Sequence, residues 1–122
     1  MARTVLIVED NDVVRGSLCD WLSVTFPDYS FQTAKSGEEA VNKVVAGPPA
    51  MVLMDIGLPR MNGIQATRMI KAASPETEVV MLTIHEDKKY QVDASEAGAS
   101  AYVTKRKMHS ELIPVMRKLL SQ

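Results

Sequence analysis

Cysteine is almost absent from the chain. Cys19 is the only one, which excludes an internal disulfide and a cysteine-based metal site. Such usage suggests a reducing, cytoplasmic compartment. Charge of one sign is also lacking: the formal net charge is −1, and aromatic residues make up 5%. With neither a basic surface nor a set of stacking rings, direct nucleic-acid binding by this chain is not expected. No apolar run approaches the ~18 residues of a membrane span, so no membrane association is expected. The opening MARTVLIVED turns acidic after four apolar residues, too early for a signal peptide. Internal repeats and low-complexity segments are missing as well.

What is present suits an ordinary globule. The 122 residues are 46% hydrophobic and 24% charged, which fits a single domain over residues 1–122. A chain of this size buries roughly two-thirds of its unfolded surface, enough for one core.

Short apolar runs recur at Val5–Val8, Met51–Met54, Val79–Leu82 and Tyr102–Val103. They lack polar alternation, as do strands buried on both faces of a parallel sheet. Tyr29–Thr33 does alternate, as a half-covered edge strand would. Helical patterns fill the gaps. Val14, Leu18, Trp21, Leu22 and Thr25 share one face, and Pro27 ends that helix. Ser36-Gly-Glu-Glu39 predicts a capping box with Ser36 as N-cap, and Ala40, Val41, Val44 and Val45 continue the helix. Asn62-Gly63 opens a third helix, with Ile64, Thr67 and Ile70 inward. Tyr90, Ala94 and Ala97 mark a fourth, capped by Gly98. Leu112, Met116, Leu119 and Leu120 mark a fifth, and Pro114 belongs in its first turn because proline deeper inside would break it. The expected fold is α/β: a single doubly wound, five-stranded parallel sheet with five helices.

In such sheets the site lies at the carboxyl ends of the strands. There the first strand delivers Glu9 and Asp10, the third Asp55, the fourth Thr83 and the fifth Lys105. Like charges at ~4 Å cost about 4 kcal/mol at an effective dielectric near 20. A divalent cation relieves this, and oxygen ligands that leave room for water and phosphate suit Mg²⁺. Carboxylate, metal, lysine and hydroxyl around one point make a phosphoryl-transfer arrangement, with Asp55 as nucleophile.

Four segments carry a resemblance: Val5-Leu-Ile-Val-Glu-Asp-Asn-Asp12, Asp55-Ile-Gly-Leu-Pro59 with Met61-Asn-Gly63, Leu82-Thr83, and Gly98-Ala-Ser-Ala-Tyr-Val-Thr-Lys105. Together they resemble the receiver domain of a two-component response regulator over essentially the whole chain. HEDKKY after Thr83, with GASAYVTK, is similar to receivers of LuxR-type DNA-binding regulators. The resemblance implies a flavodoxin-like strand order, 2-1-3-4-5. It implies that Asp55 accepts a phosphoryl group from the phosphohistidine of a sensor histidine kinase. Glu9 and Asp10 would hold Mg²⁺, with Asp10 and Asp55 as direct ligands, Glu9 acting through water, and the Gly57 backbone carbonyl completing the set. Thr83 and Lys105 would contact the phosphoryl group, and Tyr102 would turn inward as Thr83 is drawn to the phosphate. The fourth helix, fifth strand and fifth helix would then control an output protein or a further effector domain, in transcription regulation. A homodimer through that face or the fifth helix is left open. The module is a switch, an enzyme only in assisting its own phosphorylation and dephosphorylation.

Two positions depart from the family pattern. Ile84 stands where a small residue is usual, so phosphorylation by small donors is expected to be slow. Arg106 stands where a proline often follows the lysine, so a cis bond is not expected. Gly57 and His85 occupy positions that tune phosphoryl lifetime across the family; Gly57 leaves the attacking water unassisted, and His85 has no assigned effect.

Plainer readings exist for each residue. Asp55 alone could cap the next helix, and Asp12 is a charge at a helix N-terminus. Lys105-Arg-Lys107 alone would be a solvated basic run. Tyr102 alone would be a core aromatic, and His85 and His109 exposed loop residues. The methionines fill the core. Two other functional classes fit less well. An aspartyl phosphohydrolase of the haloacid dehalogenase type wants a second aspartate at position 57. A flavin or nucleotide binder wants a phosphate loop after the first strand, where Glu9-Asp-Asn-Asp12 would repel phosphate.

Overall fold

The computed structural model of the chain describes residues 3–121; Met1, Ala2 and Gln122 of the expected 1–122 domain lie outside them. Five strands alternate with five helices: β1 (Thr4–Val8), α1 (Asp12–Thr25), β2 (Ser30–Ala34), α2 (Gly37–Ala46), β3 (Met51–Met54), α3 (Gly63–Ala73), β4 (Glu78–Thr83), α4 (Lys88–Glu96), β5 (Ala101–Thr104) and α5 (Met108–Leu120). A 3-10 turn, Lys105–Lys107, leads into α5. All strand pairs are parallel, in the order β2-β1-β3-β4-β5, as expected.

The apolar runs are double-sided. Leu6, Val8, Val52, Met54, Val79 and Met81 pack under α2, α3 and α4. Val5, Ile7, Met51, Leu53, Val80, Leu82 and Val103 pack with Leu18, Leu22, Leu112 and Met116 of α1 and α5. Alternate residues of one strand thus enter opposite cores, so no polar position interrupts the run. Full burial of each large side chain contributes about 1.5–3 kcal/mol. At the edge, β2 alternates exposed and half-buried residues, beginning one residue later than the pattern suggested.

Register sets where the site forms. Val8 of β1 lies opposite Met54 of β3, so Glu9 and Asp55 leave neighbouring strands at one level. Met54 lies opposite Met81, and β4 runs on to Thr83, opposite Thr104 of β5.

Helix signals held with two corrections. Ser36 caps α2 by accepting the Glu39 N–H at 3.1 Å, but Glu39 reaches past Ser36 to the Lys35 N–H at 2.9 Å, so the reciprocal half of the box is not made. A full capping box stands instead at α3, where Asn62 accepts from Gln65 N–H and Gln65 accepts from Asn62 N–H, each at 2.9 Å. Pro114 is the seventh residue of α5, not in its first turn. The helix starts earlier because the Lys105–Lys107 turn runs directly into Met108. Pro114 and Ser110 are both exposed, so water can take the Ser110 carbonyl that proline leaves without its usual donor. Among the described residues no peptide bond is cis, including that before Arg106, and no helix is long and apolar enough to cross a membrane.

Candidate functional site

Glu9, Asp10 and Asp55 gather at the carboxyl edge, with one carboxylate oxygen of each within 4.8 Å of the others. Their surroundings differ. Glu9 is buried, and each of its carboxylate oxygens accepts a hydrogen bond. Its Oε1 accepts from Lys105 Nζ at 2.7 Å and its Oε2 from the Asn11 N–H at 3.1 Å. Its own N–H donates to the Ala34 carbonyl, and its carbonyl accepts from Arg15. Asp10 is exposed. Asp55 is buried to 8% exposure; its N–H donates to the Val8 carbonyl, and Oδ1 accepts weakly from the Gly57 N–H at 3.3 Å. Asp55 Oδ2 lies 3.6 Å from Lys105 Nζ.

Lys105 therefore sits between two acidic residues. Burial alone would lower its pKa, but the hydrogen bond it donates to Glu9 and the charges of Asp55 and Glu9 outweigh it and hold the ammonium above its ordinary value. The donor set suits a hard divalent cation: carboxylate oxygens converge, one acidic side chain is open to water, and among the described residues the cluster includes no cysteine or histidine.

Asp55 is fixed from behind. At Gly63 an added Cβ would stand 2.1 Å from the Asp55 carbonyl oxygen, inside van der Waals contact. Gly63 N–H donates to the Ile56 carbonyl, and buried Leu58 anchors the loop between. Arg60 in that loop has a φ of 62°, rare for a residue with a side chain, and its guanidinium bonds Glu38 at 3.3 Å. The sequence reading took Gly63 only as a helix start. A glycine in the first turn of a helix, where it weakens the helix, was the signal for a close approach. Arg15 and Asn11, which hold Glu9, carried no such signal.

Thr83, Tyr102 and His85 form a second group. Thr83 is fully buried at the end of β4, and its Oγ1 accepts from the His85 N–H at 3.3 Å, leaving its hydrogen to donate. Tyr102 is half-buried, and its hydroxyl donates to the His85 carbonyl at 2.8 Å. Burial, then the nearby negative charge of Asp87 and the influence of Tyr90 and Asp55, push the Tyr102 phenol up to about 12. His85 is half-buried rather than exposed. Its ring lies 4.5 Å from that of Tyr90, and its Nε2 is 3.6 Å from where a Cβ at Gly57 would be. It thus lies between the loop that follows Asp55 and the Thr83–Tyr102 pair. Ile84 is 70% exposed. His109 is exposed but lies in α5, against Trp21 at 5.5 Å, rather than in a loop. Asp12 opens α1 as a first-turn charge paired with Arg15. Arg106 forms a forked ion pair with Glu86, at 2.9 and 3.0 Å.

The chain thus presents a doubly wound, five-stranded parallel sheet with an acidic cluster and a lysine at its carboxyl edge. The response regulator receiver domain matches residues 5–117, and the chain belongs to that family. A receiver domain is a signalling switch rather than a catalytic enzyme. The chain is 37% identical to the transcriptional regulatory protein LnrK of Bacillus subtilis, over 83% of this chain and 46% of that protein. It is 31% identical to the response regulator MprA of Mycolicibacterium vanbaalenii, over 98% of this chain and 51% of that protein. Among solved structures it resembles a LuxR-family two-component response regulator from Aurantimonas, with a TM-score of 0.87, 28% identity, and 97% of this chain and 84% of that one covered. It also resembles the response regulator TrrA of Thermotoga maritima in complex with Mg²⁺ and beryllium fluoride, with a TM-score of 0.85, 30% identity, and 98% and 99% covered. The chain spans about half the length of the curated relatives it matches.

Proposed function

We propose that the chain is a cytoplasmic switch that accepts a phosphoryl group from a sensor histidine kinase onto Asp55. The observation that carries this is the placement of Asp55: nearly buried at the mouth of β3, beside Lys105, with Glu9 and Asp10 oxygens within 4.8 Å. An Asp55 oxygen bonds to phosphorus as the P–N bond of the phosphohistidine breaks, and the electron pair of that bond returns to the imidazole. Asp10, Asp55 and the Gly57 carbonyl would hold Mg²⁺, with Glu9 acting through water. When bound, the ion neutralises charge on the phosphoryl oxygens. Lys105 and the Thr83 hydroxyl take further phosphoryl oxygens.

The new group adds about −1.5 to −2 charges and offers Thr83 an acceptor. Thr83 then moves toward it, and its bond from the His85 N–H loosens. Because the His85 carbonyl accepts the Tyr102 hydroxyl, the movement reaches β5 and the α4–β5–α5 face. That face controls an output partner or effector domain, in transcription regulation as the name of LnrK suggests.

Beryllofluoride with Mg²⁺ tests the reading. Amide resonances of Asp55, Thr83 and Tyr102 are expected to shift, and Asp55→Asn to abolish the response; a wild-type protein that does not respond contradicts it. Ile84, although 70% exposed, is proposed to slow access of small donors. Phosphorylation of Ile84→Ala by acetyl phosphate should be faster than wild type, and equal rates refute that role.

A further inference from the structure

Asn62-Gly63 starts α3, and the same pair carries a chemistry that the switch does not use. Asparagine is a chemically labile side chain, because the next backbone nitrogen can attack its amide carbon. The attack closes a five-membered ring, and a side chain on the following residue hinders it. Of Asn11, Asn42 and Asn62, only Asn62 precedes a glycine, which has no such side chain. Asn62 is half-buried, so solvent reaches it. The folded start of α3 opposes the attack. The Gly63 N–H donates to the Ile56 carbonyl at 3.0 Å. Asn62 Oδ1 accepts from the Ile64 and Gln65 N–H groups, each at 2.9 Å, which draws the side chain forward over the helix. The Asn62 backbone is extended, with ψ 170°, and its own N–H is held by the Gln65 side chain at 2.9 Å. Ring closure needs a Gly63 nitrogen without its proton and an Asn62 side chain swung back onto it. The first turn must open locally before that can happen.

We propose that Asn62-Gly63 is a site of spontaneous covalent modification, guarded by the capping box of α3. The Gly63 nitrogen gives its proton to hydroxide and bonds to the Asn62 side-chain carbon. The carbon–nitrogen bond of the side-chain amide breaks, and its nitrogen takes a proton from solvent and leaves as ammonia. Water then opens the ring at either carbonyl. One opening leaves an aspartate at position 62, which caps a helix as well as asparagine does. The other leaves an isoaspartyl linkage, in which the chain runs through the former side chain. That linkage adds one carbon to the backbone, about 1.5 Å, immediately before Gly63. Gly63 packs on the Asp55 carbonyl so closely that even a Cβ has no room. The added carbon therefore displaces the backbone that fixes Asp55. The effect on phosphorylation rests on the reading of Asp55 as acceptor; the chemistry at Asn62 does not.

The test is prolonged incubation of the full chain in warm, mildly alkaline buffer, folded or unfolded in guanidinium chloride. Products are read by peptide mass spectrometry and by an isoaspartyl-specific methyltransferase. In the unfolded chain Asn62 should be modified well before Asn11 and Asn42. Folding should slow it by about tenfold or more, the protection a stable first turn gives. Gln65→Ala should speed the folded rate by about fivefold, as loss of one hydrogen bond implies, and leave the unfolded rate unchanged. Equal rates in folded and unfolded chains, or a folded rate untouched by Gln65→Ala, overturn the guard. Modification no faster at Asn62 than at Asn11 or Asn42 overturns the site. The separated isoaspartyl form should lose the beryllofluoride response that Asn62→Asp keeps, and a wild-type response in that form overturns the stated consequence. If neither wild type nor Asn62→Asp responds to beryllofluoride, the receiver reading fails, while the mass spectrometry still decides the chemistry at Asn62.

Discussion

The mouths of β1 and β3 hold their side chains differently from the mouths of β4 and β5. At the first pair, Glu9 and Asp55 are buried, their backbone N–H groups bond neighbouring strands, and Gly63 lies too close to Asp55 for any side chain. At the second pair, Tyr102 and His85 are half-buried, and Thr83 is linked to them by one long bond at 3.3 Å. Thr104 Oγ1 is buried there without a hydrogen-bond partner, a group that can gain from a rearrangement. The Arg106–Glu86 pair over this half is exposed, and such pairs contribute little. One half fixes Asp55, the proposed acceptor; the other is the half proposed to move when Asp55 is phosphorylated. A switch needs both, since a mobile nucleophile loses its geometry and a rigid output face cannot report.

The comparison can be broken from either side. The largest effect is expected from Gly63→Ala, which drives a methyl into the Asp55 carbonyl oxygen. It should destabilise the fold by about 3 kcal/mol, the upper part of the overpacking range, read by urea unfolding. The beryllofluoride response should weaken in the same variant.

Tyr102→Phe breaks the other half more gently. It removes the 2.8 Å bond to the His85 carbonyl, at a cost of about 1 kcal/mol. Its signature is pH dependence. The folded phenol is raised from 10.0 to about 12, so its contribution is present below pH 10. Above pH 10 the unfolded chain ionises first, and the contribution falls away as pH rises through about 12. The stability margin of wild type over Tyr102→Phe should therefore shrink across that window, in chemical denaturation at matched salt.

Legibility in the sequence followed the same division. The β3 run Met51–Met54 with Asp55 at its end could be read because both faces are buried and one charge ends the run. The strand ends brought Glu9, Asp10, Asp55, Thr83 and Lys105 to one edge because strand periodicity fixes which residue emerges last. Features that depend on approach between distant segments were not legible. Gly63 against Asp55, Glu9 tied to Lys105 across 96 positions, and the His85 carbonyl receiving Tyr102 across 17 are of this kind. Local signals misled where a side chain had two nearby donors, as at Glu39, or where a preceding turn extended a helix, as at Pro114.

Hydrogen exchange with and without beryllofluoride and Mg²⁺ tests the division most directly. The account predicts altered protection in residues 83–92 and 101–107, with residues 4–8 and 51–54 unchanged. Protection changes as large in 4–8 and 51–54, or none in 83–92, would contradict it.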